Sequence, residues 1–265
     1  MAMHIKHTIV GIDVAKDWLD IFDGHTLQRI DNTKTAIVEL LSTYQPQCQI
    51  ALESTNHYHE LFVHLSLAAE HDVYLVDSFR LSRYRDAIGV RAKTDAADAR
   101  VLFRYLNAEL SRLRKYQPPT QSVKRLSSLI QARGKLTQLK ASIKQSLGNV
   151  KELARTKNAI VLRLERAIAL IDKKIGDCLR QSSYWSDYQR CLTIPGVGPV
   201  NAAALVTYFQ RGEFCKSDAF IAFLGLDVRV RESGRFKGKR KLSKRGNPEI
   251  RRLLFNAARA GAKNK

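Results

Sequence analysis

The chain has 265 residues, 45% of them hydrophobic, and a formal net charge of +20. That length buries at least one good core, with material for two. No apolar run reaches a membrane span, and the opening MAMHIKHTIVG has no continuous apolar signal core, so a protein of the cytoplasm without a membrane partner is expected.

The first part reads as α/β. HTIVGIDVA is an apolar run with β-branched residues, WLDIFDG alternates behind it, and LQRIDN follows, which gives three strands with the first two antiparallel. TKTAIVELLSTY has helical spacing at Ile37, Leu40, Leu41 and Tyr44, capped by Asn32 or Thr33. QIALEST is a buried strand, HYHELFVHLSLAAE a helix and DVYLVDSF a further strand. Three strands, a helix, a strand, a helix and a strand match the order of a ribonuclease-H-like domain, placed at 1–110.

From about 120 to 185 the texture changes. After Tyr-Gln-Pro-Pro, a plausible linker, apolar residues recur at three and four, as in Leu126, Leu129, Ile130, Leu136, Leu139 and Ile143, then Ile160, Leu164, Ile168, Ile171 and Ile175. A narrow apolar seam with Lys and Arg elsewhere predicts a helical hairpin or a coiled-coil dimerisation arm. The region 190–265 opens with LTIPGVGPVNAAALVTYF, a Gly-Val-Gly turn leading into an Ala-rich helix. It closes with GNPEIRRLLFNAA, where Asn247 is a cap and Pro248 the first helical residue. Between them lies the Gly-dotted basic loop RVRESGRFKGKRKLSKRG. The fold class is therefore α/β plus α, with no internal repeat.

Charge follows these divisions. Residues 1–110 hold 11 Lys+Arg against 15 Asp+Glu, residues 111–227 hold 20 against 8, and residues 228–265 hold 14 against 2. An acidic first part and a strongly basic remainder point to a polyanionic partner, most simply nucleic acid. The four cysteines are scattered without CxxC or histidine partners at zinc spacing, so they read as reduced thiols. His57 and His59 lack further ligands nearby.

The acids raise a chemical question. Asp13 stands within the first strand, flanked by apolar residues, and Glu53 ends the strand ALEST. Asp95 and Asp98, at i and i+3, share a face at a helix start. Taken singly, Asp95 after Thr94 reads as a helix cap, Asp98 as a first-turn carboxylate, and Asp17, Asp20 and Asp23 as turn residues at strand ends. Taken together, Asp13, Glu53, Asp95 and Asp98 suit two Mg²⁺ ions clamping a phosphodiester, since converging carboxylates repel unless cations neutralise them. Asp98 is the firmer ligand of its pair, because Asp95 can cap with one oxygen while the other binds metal. In the basic loop, Ser233 precedes a glycine among Arg229, Arg231, Arg235, Lys237, Lys239 and Arg240, with Lys244 and Arg245 further on. Such cations stabilise charge on a phosphorane-like transition state, although Ser-Gly is also an everyday turn pair. Ser243 is a rival that sits close to the next helix.

VGIDVAKDWLDIF, ALESTNHY, AKTDAADARVL, LTIPGVGPVNAAALV and SGRFKGKRKLSKRGNPEIRRLLFNAA, in this order, resemble one family over nearly the whole chain. It is the DEDD transposases related to the Piv/MooV-type site-specific recombinases, which include the bridge-RNA-guided recombinases of insertion sequences. The resemblance implies an N-terminal RuvC-like domain, a helical coiled-coil region and a C-terminal transposase domain with a helix-hairpin-helix-like turn. By motif, the tetrad becomes Asp13, Glu53, Asp95 and Asp98, and the nucleophile Ser233. It further implies Mg²⁺, a covalent serine–DNA link and strand exchange. Composite sites in a homodimer or homotetramer, donor and target DNA, and a structured guide RNA in a nucleoid-associated protein are also implied. At IPGVG the N–H groups of Gly196, Val197 and Gly198 would face a phosphate. Family members continue past the last helix, so the C-terminal domain reads as a short or truncated form. A Mg²⁺-dependent junction-resolving nuclease using water, or a non-catalytic nucleic-acid-binding regulator, are the alternatives.

Overall fold

A computed structural model describes residues 8–53, 57–90, 94–230, 232–234 and 236–263. The chain forms two compact units, Met1–Pro118 and Pro119–Lys265.

The first unit is built on a five-stranded sheet with strands β1 (Ile9–Val14), β2 (Trp18–Phe22), β3 (Leu27–Asp31), β4 (Gln49–Glu53) and β5 (Asp72–Val76) in the order β3-β2-β1-β4-β5. β1, β2 and β3 are antiparallel neighbours, whereas β4 and β5 run parallel to β1 through helical crossovers. This is the strand order of a ribonuclease-H-like domain. The helices are α1 (Lys34–Ser42), α2 (Glu60–Ala68), α3 (Ser78–Ala87) and α4 (Asp95–Glu109).

Strand periodicity sorts the residues of β1 onto two faces. Val10, Ile12 and Val14 join Leu19, Ile21, Ile50 and Leu52 in a core with Ile37, Leu40 and Leu41 of α1 and Phe62 and Val63 of α2. Thr33 starts α1, its hydroxyl accepting from the Ala36 N–H. The opposite face of β1 carries Gly11 and Asp13, and there α4 packs on β1, β2 and β4. Ala51, Tyr74 and Val76 of the sheet meet Val101, Leu102, Tyr105 and Leu106 of α4. Gly11 permits this approach, because a Cβ built there would fall 2.2 Å from the Ala99 carbonyl oxygen and 2.4 Å from the Phe103 nitrogen.

The second unit opens with two long helices, α5 (Gln121–Ser146) and α6 (Ala154–Arg180), packed on each other as a hairpin. Arg133 holds Asp172 at 2.6 Å between them, and Lys140 reaches Glu165 at 3.5 Å. Their apolar seam is only part covered. Leu126, Ile130, Ile175 and Leu179 join a core with α7 (Trp185–Leu192), α8 (Pro199–Phe209), α9 (Ser217–Phe223) and α10 (Pro248–Lys263), while Leu139 and Leu162 are each 48% exposed. Asn247 caps α10, its side-chain oxygen accepting from the Glu249 N–H. Between α9 and α10 the basic loop is β-structured, with β6 (Val228–Arg229) paired to β9 (Lys241–Leu242) and, inside them, β7 (Glu232–Ser233) paired to β8 (Phe236–Lys237).

Candidate active site

The register of the sheet brings its charged residues into one row. Asp13 of β1 lies opposite Asp20 of β2, and Asp20 lies opposite Arg29 of β3. On the other side of β1, Ile12 is registered with Leu52, so the next residues along, Asp13 and Glu53, are neighbours on parallel strands. Cross-strand partners share a face, and for this row it is the face that α4 covers. The helix adds Asp95 and Asp98 from its first turn, where carboxylates also favour the positive end of its dipole. Burial and then the charges of Asp98, Asp95, Glu53 and Asp20 push the Asp13 carboxyl up to about 7. Glu53, Asp95 and Asp98 therefore all lie close enough to Asp13 to act on it.

The local partners are specific. Thr94 caps α4, its hydroxyl accepting from the Ala97 N–H, so Asp95 is the first helical residue and not the cap that its position after Thr94 suggested. One Asp95 oxygen accepts from the Trp18 indole at 3.3 Å and stands 3.5 Å from Arg29. Asp98, 7% exposed, accepts from Arg85 of α3 at 2.5 Å. In the same side chain, Arg85 Nε is buried with no hydrogen-bond partner among the described residues. Asp20 is also corrected. It is not a turn residue but a buried mid-strand carboxylate, bound by Arg29 through two hydrogen bonds of 3.0 and 2.7 Å. The signal for it was present in the tight connection Ala15–Asp17, which puts Val14 opposite Leu19 and hence Asp13 opposite Asp20. Arg29 and Arg85 carried no such signal.

The donor chemistry fits a hard divalent cation, namely anionic oxygens whose mutual repulsion such an ion relieves. Among the described residues, no three His, Cys, Asp or Glu side chains are arranged around one metal-sized position. Asp98 is engaged by Arg85 and Asp95 by Trp18 and Arg29.

In the second unit, Ser233 is exposed on β7 beside Gly234, whose φ of +54° makes the turn into β8. Arg229, Lys237, Lys239, Arg240, Lys244 and Arg245 are all exposed around it, and Arg231 and Arg235 lie outside the described residues. Ser243 differs from Ser233. Its hydroxyl donates to the Asp227 carboxylate and its N–H to the Asp227 carbonyl, which ties the root of the hairpin. At IPGVG the expectation is corrected in part. The Val197 N–H is donated to the Ile194 carbonyl at 3.0 Å, so it closes the turn and does not face outward. Gly196, at φ +83°, lies against the backbone of α10, where a Cβ would meet the Ala257 oxygen at 2.2 Å. Gly198 stands at the start of α8, which has no side-chain cap.

Comparison with known proteins bears on both units. Residues 10–152 match a transposase model of the IS110 DEDD type, and residues 188–265 match the transposase IS116/IS110/IS902 family. The chain is 26% identical over 271 residues to the pilin gene-inverting protein of Moraxella lacunata, covering 96% of this chain and 83% of that one. It is 26% identical over 290 residues to the transposase for insertion sequence element IS1328 of Yersinia enterocolitica, covering 95% and 83%. A T. thermophilus RuvC structure in complex with Holliday junction substrate matches with 12% identity and a TM-score of 0.32, covering 41% of this chain and 99% of that one. The chain belongs to the IS110-type family of DEDD transposases.

Proposed function

We propose that the protein is a DNA recombinase that cleaves and rejoins strands with a divalent-metal carboxylate site and a serine nucleophile. The observation that carries this reading is the gathering of Asp13, Glu53, Asp95 and Asp98 on one sheet face in a chain of transposase family.

Asp13, Glu53, Asp95 and Asp98 would hold Mg²⁺, which when bound activates a phosphodiester by drawing charge from its oxygens. Ser233 Oγ attacks the DNA phosphorus; an Oγ–P bond forms, the bond to the deoxyribose oxygen breaks, and that oxygen leaves as a hydroxyl with the proton given up by the serine. The exposed cations of the hairpin grip backbone phosphates on either side and carry no sequence information by themselves. Sequence choice falls to a structured guide RNA pairing donor and target DNA, held on the same basic surface. The α5–α6 hairpin, with Leu139 and Leu162 exposed, supplies the contact for a homodimer or homotetramer in which carboxylates and serine come from different protomers.

The test is incubation of the protein with Mg²⁺ and element-end DNA, followed by denaturing electrophoresis. A covalent protein–DNA adduct that Ser233→Ala abolishes is the expected result. Cleavage without an adduct, unchanged in Ser233→Ala, means that water is the nucleophile. DNA transactions that survive Asp13→Ala and Asp98→Ala would mean a non-catalytic binding protein. A discrete RNA copurifying with the protein is expected, and its absence from fully active protein overturns the guide.

A further inference from the structure

The row of charge on the sheet contains one carboxylate more than the tetrad uses. Asp20 is 4% exposed and stands directly across from Asp13, yet it is fully engaged by Arg29. A bidentate guanidinium–carboxylate pair is among the stronger side-chain contacts, and a buried carboxylate without its partner is strongly destabilising. Arg29 is therefore fixed from the Asp20 side. Its other neighbour is Asp95, whose oxygen lies 3.5 Å from the same Nη2 that binds Asp20 at 2.7 Å. The guanidinium also lies 5.0 Å from the centre of the Trp18 ring, and the Trp18 indole N–H reaches that same Asp95 oxygen. One arginine thus stands between two carboxylates, hydrogen-bonded twice to the first and in a looser ion pair with the second.

We propose that Asp20 is a positioning residue for the metal site: by binding Arg29 with two hydrogen bonds it keeps the guanidinium from closing on Asp95, and so leaves the Asp95 carboxylate for a divalent cation. This rests on the reading that Asp95 belongs to a metal-binding set. Asp20 is not itself a ligand here; its contact is with the arginine. Loss of the Asp20 charge frees Arg29 to hydrogen-bond its next carboxylate, and the tightened ion pair at Asp95 competes directly with the metal. The structural alternative, in which the pair merely ties β2 to β3, makes a different forecast: Asp20→Asn then lowers folding stability and leaves the Mn²⁺ affinity of the folded protein unchanged.

The experiment titrates Mn²⁺ alone, read by electron paramagnetic resonance of the free ion, into the full chain and its variants, each checked by circular dichroism. Asp20→Asn is expected to weaken Mn²⁺ binding by about tenfold, as loss of a carboxylate behind a ligand does elsewhere. Asp20→Glu keeps the charge and the wild-type affinity. The double variant Asp20→Asn with Arg29→Gln removes both charges and returns the affinity to within about threefold of wild type, a coupling that independent sites do not show. Wild-type affinity in Asp20→Asn, or a double variant no better than it, overturns the proposal. If Asp20→Asn does not fold, the double variant decides, since it leaves no buried charge unpaired and the proposal requires its Mn²⁺ affinity to stay within about threefold of wild type. A wild-type chain that binds no Mn²⁺ overturns the metal reading itself, and the proposal with it.

Discussion

The carboxylate row of the first unit and the basic hairpin of the second are built on opposite rules. Each acid of the row sits within or at the end of a strand, or in the first turn of α4. Asp20, Asp95 and Asp98 are already held by named donors. Arg229, Lys237 and Lys241 of the hairpin stand on two-residue strands and Lys239, Arg240, Lys244 and Arg245 in the connections, all exposed to water, with a weak contact such as Arg240 to Glu232 at 4.0 Å. A cation site has to be fixed before its ion arrives, because the repulsion between its ligands is present from the start. A surface that meets a long, uniformly charged polymer gains from cations that adjust to phosphates, and it needs little burial to do so.

The largest effect that sharpens this contrast is expected from Asp13→Asn, which keeps the shape of the side chain and removes the charge at the centre of the row. Adduct formation on element-end DNA falls by at least about 10²-fold, as for loss of one charge-stabilising group elsewhere. Binding of the same DNA measured by filter retention stays near wild type. Equal loss in both assays would break the division between the two regions.

Next in size is Gly11→Ala. The added methyl meets the α4 backbone at Ala99 and Phe103, neither of which is a flexible side-chain end. Overpacking of this kind costs about 1–3 kcal/mol, read as a lower urea midpoint, and displaces Asp95 and Asp98 from Asp13. The same change at Gly234, where the added methyl meets nothing within 4 Å among the described residues beyond its chain neighbours, is expected to cost chiefly the strain of its positive φ.

A smaller effect follows from the Asp13 carboxyl, raised to about 7 in the fold. Between about pH 4 and pH 7 the folded protein holds a proton that the unfolded chain has released, so stability of the metal-free protein falls as pH rises through that window. Asp13→Asn flattens that part of the profile, and Mg²⁺ flattens it as well by taking the place of the proton. Thermal midpoints across pH, with and without Mg²⁺, check both statements. The smallest effect is at the hairpin. Lys237→Ala and Lys239→Ala each reduce the slope of log affinity against log salt by about 0.9 on duplex DNA, with catalysis per bound complex unchanged.

Much of the first unit was legible in the sequence because its strands are short, apolar and separated by turn residues. The helix boundaries followed from Thr33, Asn247 and Pro248. The four carboxylates were picked out by the family motifs, and the register of β1 with β4 sets two of them, Asp13 and Glu53, side by side. Asp20 was missed although the short Ala15–Asp17 connection carried its register, since a carboxylate at an alternating position of WLDIF looks like any solvent-facing residue. Only the pairing of β1 with β2 turns it inward, and only Arg29, from a third strand, makes its burial tolerable. Val197 failed for a related reason. A Gly-Val-Gly turn advertises free N–H groups, but one of them is spent closing the turn on Ile194. Motifs report which residues are gathered, whereas hydrogen-bond ownership is decided by neighbours distant in the chain.

The root of the hairpin has a mechanical consequence. Gly225 and Gly246 are pressed together, with a Cβ on Gly225 falling 2.4 Å from the Gly246 nitrogen, and Asp227 binds Ser243 just beyond. A ribbon clamped at its base behaves as a short boom. Five residues separate Val228 from Ser233, and a fully extended chain of that length spans at most about 16 Å. The boom sets an outer radius for the serine hydroxyl. Under the proposed serine mechanism, the carboxylate set it works with has to come within a boom's length of the clamp, and lengthening or shortening the ribbon by a residue pair is expected to shift the position of cleavage.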